Sequence, residues 1–212
     1  MKGRSPATVA IAAATVLASI AIFVFGSVDY WAVYAGFIPA RFGGTLAYLD
    51  DGLLLPAALT PFTATLIHGN LLHLAFNLVM LIFAGVATER ALGAAGVVTL
   101  YLVGAVASVA AHWLLMPSSA VPMIGASGAV SALIGAYSLL YGQNRARPIG
   151  PFSARTVQVA WLIAGWTVIN ALLGFMTAGT GMPIAGAAHV GGFIAGVALA
   201  RPLLRWHWQE RA

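Results

Sequence analysis

Six stretches of this chain are apolar over the ~20 residues that a helix needs to cross the hydrocarbon of a bilayer. They are 7–25, 65–87, 94–116, 124–141, 157–177 and 184–204. They predict an all-α membrane protein whose six transmembrane helices form a compact bundle. Charge content agrees, since only 7% of the 212 residues are charged, against about 25% in a soluble domain. One core of this size cannot hide so much apolar surface, so lipid must cover part of it. The first stretch, with Lys2 and Arg4 ahead of it, has the layout of a signal peptide. Its apolar run is longer than a usual signal core, however, and Phe25-Gly26-Ser27-Val28 offers a poor small-residue cleavage site. It is expected to stay as an anchor.

The ten basic residues set the orientation. With both termini cytoplasmic, Lys2, Arg4, Arg90, Arg145, Arg147, Arg155, Arg201, Arg205 and Arg211 all lie inside, and Arg41 alone lies outside. Cationic residues resist translocation and collect on the cytoplasmic side. That asymmetry accounts for the net charge of +5 without nucleic acid. The chain reads as a single domain over 1–212, with one long outer loop at about 26–64. Tyr30, Trp31, Tyr34, Phe37 and Phe42 suit that loop to the membrane interface. The sequence has no cysteine, which excludes disulfides, a thiolate nucleophile and a cysteine metal site.

Polar groups inside a bilayer are costly and tend to mark function. Three clusters stand out: His68-Gly69-Asn70-Leu71-Leu72-His73 with Asn77 in the second span, Gly125-Ala126-Ser127-Gly128 in the fourth, and Ala188-His189-Val190-Gly191-Gly192 in the sixth. Taken singly, each has a structural explanation. A membrane histidine can bridge helices, and a serine can bond back to its own backbone. Topology joins them, because the second, fourth and sixth spans all run from outside to inside. His73, Asn77, Ser127 and His189 then lie at similar depth below the outer surface.

Small residues allow these spans to touch. Gly128, Ala132 and Ala136 form a stripe on the fourth span, and Ala188, Gly192, Gly196 and Ala200 form one on the sixth. Such stripes permit close backbone approach, which would bring Ser127 and His189 within the hydrogen-bond reach that a nucleophile–base pair requires. His73 and Asn77, four residues apart, share a helix face. Both can donate to a developing oxyanion alongside the Ser127 amide. His68, about 140° round an ideal helix from His73, is expected to tie down the preceding loop instead.

In combination these residues resemble the rhomboid family of intramembrane serine proteases. The likeness rests on His68, His73, Asn77, Gly125-Ala126-Ser127-Gly128, Ala188-His189, Gly192 and Gly196, with Glu89-Arg90 and Leu92-Gly93 between the second and third spans. It implies a Ser127–His189 dyad and an oxyanion hole of His73, Asn77 and the Ser127 amide. His68, Gly125, Gly128, Gly192 and Gly196 would support the site. It further implies an endopeptidase that cuts helix-destabilised transmembrane segments of membrane proteins near the outer face, through an acyl-enzyme, in a bacterial inner membrane. No cofactor, metal or nucleic acid is implied. Two departures are visible. Leu53-Leu54-Leu55-Pro56 stands where a Trp-Arg pair is common, and Ser131 occupies a position that is often aromatic and packs on the histidine. His189 is therefore expected to find its support elsewhere.

Other chemistries fail on inventory. There is no His-Glu-x-x-His motif for a metalloprotease. The five acidic residues, Asp29, Asp50, Asp51, Glu89 and Glu210, all lie in loops or at helix ends, which leaves no aspartyl pair. A transporter or channel is the rival from another class, but the polar clusters stop in the outer half and leave no path through the inner half. A catalytically inactive rhomboid-like binding protein is the remaining alternative, and would be expected to lack Ser127 or His189.

Overall fold

The computed structural model describes residues 5–42, 54–143, 146–177 and 185–209. The expectations placed on Lys2, Arg4, Arg145, Arg211, Asp50, Asp51 and Glu210, and on the start of the sixth span at Ile184, lie outside these. Among the described residues there are seven α-helices and no strand. The helices are α1 (Pro6–Phe25), α2 (Val28–Ala35), α3 (Thr60–Thr63), α4 (Leu71–Leu115), α5 (Ser127–Tyr141), α6 (Ala154–Thr177) and α7 (Gly186–Gln209). Four of them, α1, α4, α6 and α7, are long and apolar enough to cross a membrane. Large side chains such as Phe25 and Phe175 stand 88% and 83% exposed, an outer surface that suits lipid and not water.

α4 is two helices joined at a break. Gly93 has φ +72°, a backbone that glycine adopts without steric cost, and a Cβ there would strike the His207 ring. The two arms run in opposite directions past α5. In the first arm His73 lies beside Gly125 and Ala87 beside Tyr141, so it runs parallel to α5. In the second arm Gly104 lies against Ala132 and Ser108 against Gly128, so it runs antiparallel. α7 is parallel to α5, with Gly192 against Gly128 and Gly196 against Ala132. α6 is antiparallel to α7, with Asn170 against Gly186 and Trp166 against Phe193.

The core sits where both arms of α4 meet α5 and α7. Leu81, Leu92, Val97, Leu100, Leu133 and Ala200 are buried there. α1 is fastened to the outside of this group at both ends. At one end the Glu89 carboxylate accepts from the Ala7 amide, the Thr8 amide and the Thr8 hydroxyl at 3.0, 2.8 and 2.6 Å. At the other, Ser19 bonds Leu66 O and His68. α6 is the least enclosed of the long helices: its buried residues are Val157 and Asn170.

Two helix starts differ from the sequence expectation. The second span was expected from residue 65, but α4 begins at Leu71, and His68 lies in a non-helical link after the short turn Ala64–Leu66. The fourth was expected from residue 124, but α5 begins at Ser127. Averaged over a span, hydropathy does not see either boundary, because the apolar Leu66-Ile67 and Ile124 ahead of the two helices carry each run past the actual start.

Candidate active site

The first local device is the start of α4. The Asn70 side chain caps the helix by accepting from the His73 amide at 2.8 Å, which holds His73 in the first turn. The Gly69 amide donates to His73 Nδ1 at 3.3 Å. A neutral imidazole that accepts at one nitrogen carries its proton on the other, so His73 presents Nε2–H. That edge of the ring lies against Gly125, where a Cβ would stand 2.8 Å from Nε2. Gly125 has φ +112°, so both its backbone and its neighbour call for glycine. Asn77, one turn along and buried, donates from Nδ2 to His73 O at 2.9 Å. The second hydrogen of that amide is left over.

The second device holds the chain leading into α5. The Gly125 amide donates to Ala64 O at 2.8 Å, and Phe37 and Met123 exchange both backbone bonds at 3.0 and 2.7 Å. His68 is fully buried behind them. Ser19 spends its only proton on Leu66 O at 2.9 Å, so in its 2.9 Å contact with His68 Nδ1 the histidine is the donor. His68 Nε2 is then the acceptor, and the Ala126 amide reaches it at 3.5 Å. The helical spacing assumed between His68 and His73 does not hold, because His68 precedes the helix. Their rings meet edge to face, with centroids 5.0 Å apart. His68 ties α1, the link before α4 and the residue preceding Ser127 into one unit.

The third device is the contact of α5 with α7. A Cβ at Gly192 or Gly196 would run into the backbone of Gly128 or Ala132, and one at Gly128 into the Ser108 side chain. At this spacing Ser127 Oγ and His189 Nε2 stand 2.6 Å apart. Ser127 is the first residue of α5, and no side chain caps that end. The first amides of a helix have no partner within it, and the helix dipole favours negative charge there. Ser131 bonds back to Ser127 O at 2.7 Å and offers the His189 ring no aromatic surface.

The remaining nitrogen of His189 is met from α6. Nδ1 lies 2.6 Å from Asn170 Oδ1, and Trp166 Nε1 donates to His189 O at 3.1 Å while its ring stacks on Phe193. Neither Asn170 nor Trp166 belongs to the clusters that the sequence marks. The available signal was an asparagine in the middle of an apolar span, since such a group is rarely placed in lipid without a partner. No group of three or more histidine or carboxylate side chains among the described residues converges to hold a metal.

The fold and this site define a membrane-type helical bundle with a serine hydroxyl bonded to an imidazole at an uncapped helix N-terminus. Such a pair can pass a proton from hydroxyl to ring as the oxygen attacks an electrophile, and the helix end can receive the charge that develops. The chain belongs to the Rhomboid domain family, which matches residues 57–206. It is 35% identical over 143 residues to the rhomboid protease GlpG of Pectobacterium atrosepticum, covering 66% of this chain and 46% of that protein. Against the rhomboid protease GlpG of Enterobacter sp. it is 34% identical over 142 residues, with the same coverage of 66% and 46%. Against that of Yersinia pestis it is 36% identical over 137 residues, covering 63% and 44%. The chain thus spans less than half the length of these relatives.

Proposed function

We propose that this protein is an intramembrane serine endopeptidase that cuts transmembrane segments of other membrane proteins near their outer ends. The observation that carries this reading is the 2.6 Å contact of Ser127 Oγ with His189 Nε2 at the start of α5, inside an apolar bundle. Membership of the Rhomboid domain family and the likeness to relatives named rhomboid proteases support it.

The topology of the proposal has six crossings: α1, the two arms of α4, α5, α6 and α7. Arg90, Arg201 and Arg205 sit toward the end of the bundle where Gly93 meets His207, and α1 begins at that end beside Glu89. Arg41 is at the opposite end, where its neighbour Ala40 bonds Ser119 O. With the arginine-rich end cytoplasmic, the proposed topology puts both termini on the cytoplasmic side of a bacterial inner membrane. α5 has 15 residues and so spans about 22 Å, less than the ~30 Å of hydrocarbon. With Tyr141 at the inner face, Ser127 lies below the outer surface, within reach of a substrate span that enters from the bilayer.

In the reaction, Ser127 Oγ attacks the scissile carbonyl carbon while its proton passes to His189 Nε2. The carbonyl oxygen takes the electron pair, held by the Ser127 amide, His73 Nε2–H and the spare Asn77 hydrogen. Collapse of this intermediate breaks the C–N bond, and His189 returns the proton to the leaving amine. Water, deprotonated by the same nitrogen, then releases the acyl group from Ser127. A helical substrate has its carbonyls already bonded, so residues that weaken the helix expose the bond to be cut. This is why the proposed substrates are helix-destabilised segments.

A fluorophosphonate probe tests the reading on purified protein in detergent. Labelling at Ser127 is expected in the wild type and absent in Ser127→Ala, which should also lose cleavage of a helical reporter. Removing one small hydroxyl opens almost no cavity, so the Tm should hardly move. Cleavage at the wild-type rate in Ser127→Ala would rule out the nucleophile.

A further inference from the structure

Asn170 is one of two buried residues on a helix that otherwise faces outward. It is 2% exposed, and burying an amide in apolar surroundings is costly unless both its ends are bonded. Both are bonded here. Nδ2 donates to Trp166 O at 2.9 Å, and Oδ1 lies 2.6 Å from His189 Nδ1.

These two contacts determine where protons sit. A peptide carbonyl only accepts, so the amide end facing Trp166 O must be the NH2 group, and the end facing His189 must be the oxygen. An amide oxygen also only accepts, so His189 Nδ1 must carry the hydrogen. A neutral ring protonated at Nδ1 has its lone pair on Nε2, which is the nitrogen 2.6 Å from Ser127 Oγ. Which nitrogen of a histidine is protonated is set by the partner at the other one. The same helix also holds the His189 backbone, because Trp166 donates to His189 O and stacks on Phe193, with centroids 5.0 Å apart. The aromatic support absent at Ser131 is replaced by a bond from α6.

We propose that Asn170 is a positioning residue that locks His189 in the tautomer able to accept the Ser127 proton, making the working unit Ser127–His189–Asn170. The assignment rests on Ser127 and His189 being the reacting pair. Asn170 touches neither substrate nor reacting atoms and acts only through the imidazole. Because the third member is a neutral amide, it orients the ring without adding a charge beside it.

The test combines two measurements on the full chain. The first is the maximal rate of fluorophosphonate labelling at Ser127 for wild type, Asn170→Leu and Asn170→Asp. Leu removes the acceptor at similar volume, and the maximal rate should fall about tenfold or more, the worth of one hydrogen bond to the ring, with little change in the half-saturating probe concentration. Asp restores an acceptor and should recover most of the rate. A wild-type maximal rate in a folded Asn170→Leu variant overturns the assignment. The second is the 15N spectrum of histidine-labelled wild type, with the His189 signals identified by their loss in His189→Ala. Neutral His189 is expected to carry its hydrogen on Nδ1, and finding it on Nε2 overturns the assignment even if Asn170→Leu does not fold. Failure of the wild type to label at Ser127 would count against the protease reading, while the tautomer would still decide the role of Asn170.

Discussion

Replacing Gly192 by alanine adds one methyl group and should disable the site while leaving the fold in place. An alanine Cβ at 192 would stand 3.0 Å from the carbonyl carbon of Gly128 and closer still to its oxygen, where ordinary contact is 3.4–4 Å. The obstacle is backbone inside a helix, which cannot turn aside as a side chain does, so α7 must withdraw from α5 by about 1 Å. Gly192 is less than one turn from His189, and Gly128 adjoins Ser127, so the withdrawal falls almost wholly on the Ser127–His189 contact. It stretches the 2.6 Å contact beyond the ~3 Å reach of a good hydrogen bond to oxygen. A misplacement of about 1 Å costs on the order of 10²-fold in rate, whereas overpacking of this kind costs about 1–3 kcal/mol of stability. The assay is the maximal labelling rate at Ser127, read beside the Tm and the helical circular dichroism in detergent. Gly165→Ala is the control, since a Cβ on that outward face of α6 meets nothing within 4 Å, and it should leave both readouts unchanged or raise the Tm slightly. A folded Gly192→Ala protein that labels at the wild-type rate would refute the claim that helix spacing sets the Ser127–His189 distance.

His73→Ala and Asn77→Ala should each lower turnover more than substrate affinity, by as much as ~3 kcal/mol of activation free energy for loss of one oxyanion donor. Full turnover in the double variant would remove both from the proposed oxyanion hole. Glu89→Gln should loosen α1, because the carboxylate accepts three bonds from Ala7 and Thr8 and bonds to a charged group are worth about 1.5–3 kcal/mol each. The expected result is a lower Tm and faster proteolysis ahead of α1 with near-normal labelling at Ser127; an unchanged Tm would show that the clamp contributes nothing.

Much of this architecture is legible in the chain because lipid makes the sequence simple to read. Long apolar runs must become helices, since the hydrocarbon offers no other partner for the backbone; four helices of the structure are long and apolar enough to cross a membrane, and the run at 124–141 corresponds to the shorter α5. The clusters around His73, Ser127 and His189 are legible for the converse reason: polar groups are rare enough in such runs that each one demands an explanation. The stripes Gly128–Ala132–Ala136 and Gly192–Gly196–Ala200 point to helix contact, and α5 and α7 do meet along them.

Apolar content averaged over a span does not reveal where within it the helix starts. His68 reads as part of the second span, yet lies ahead of Leu71, and Ile124 to Ala126 read as the start of the fourth, yet precede Ser127. Those starts depend on the Asn70 cap and on bonds made across the chain by Ala64 and His68. Asn170 shows the same limit from the other side. The sequence displays an asparagine in a span, but the partner that explains it is 19 residues away on another helix.

Composition and hydrophobic length therefore determined by themselves that the chain is a helical membrane protein, and which polar residues are too costly to be idle. Only the tertiary structure decided which of those residues meet. Transfer into lipid acts on each segment separately and has no direction, whereas a 2.6 Å hydrogen bond depends on how far two particular helices can approach and on which way their side chains turn. Glycine at 192 and 125 and the amide of Asn170 settle that approach and that turn, and none of the three changes the apolar pattern from which the spans were read.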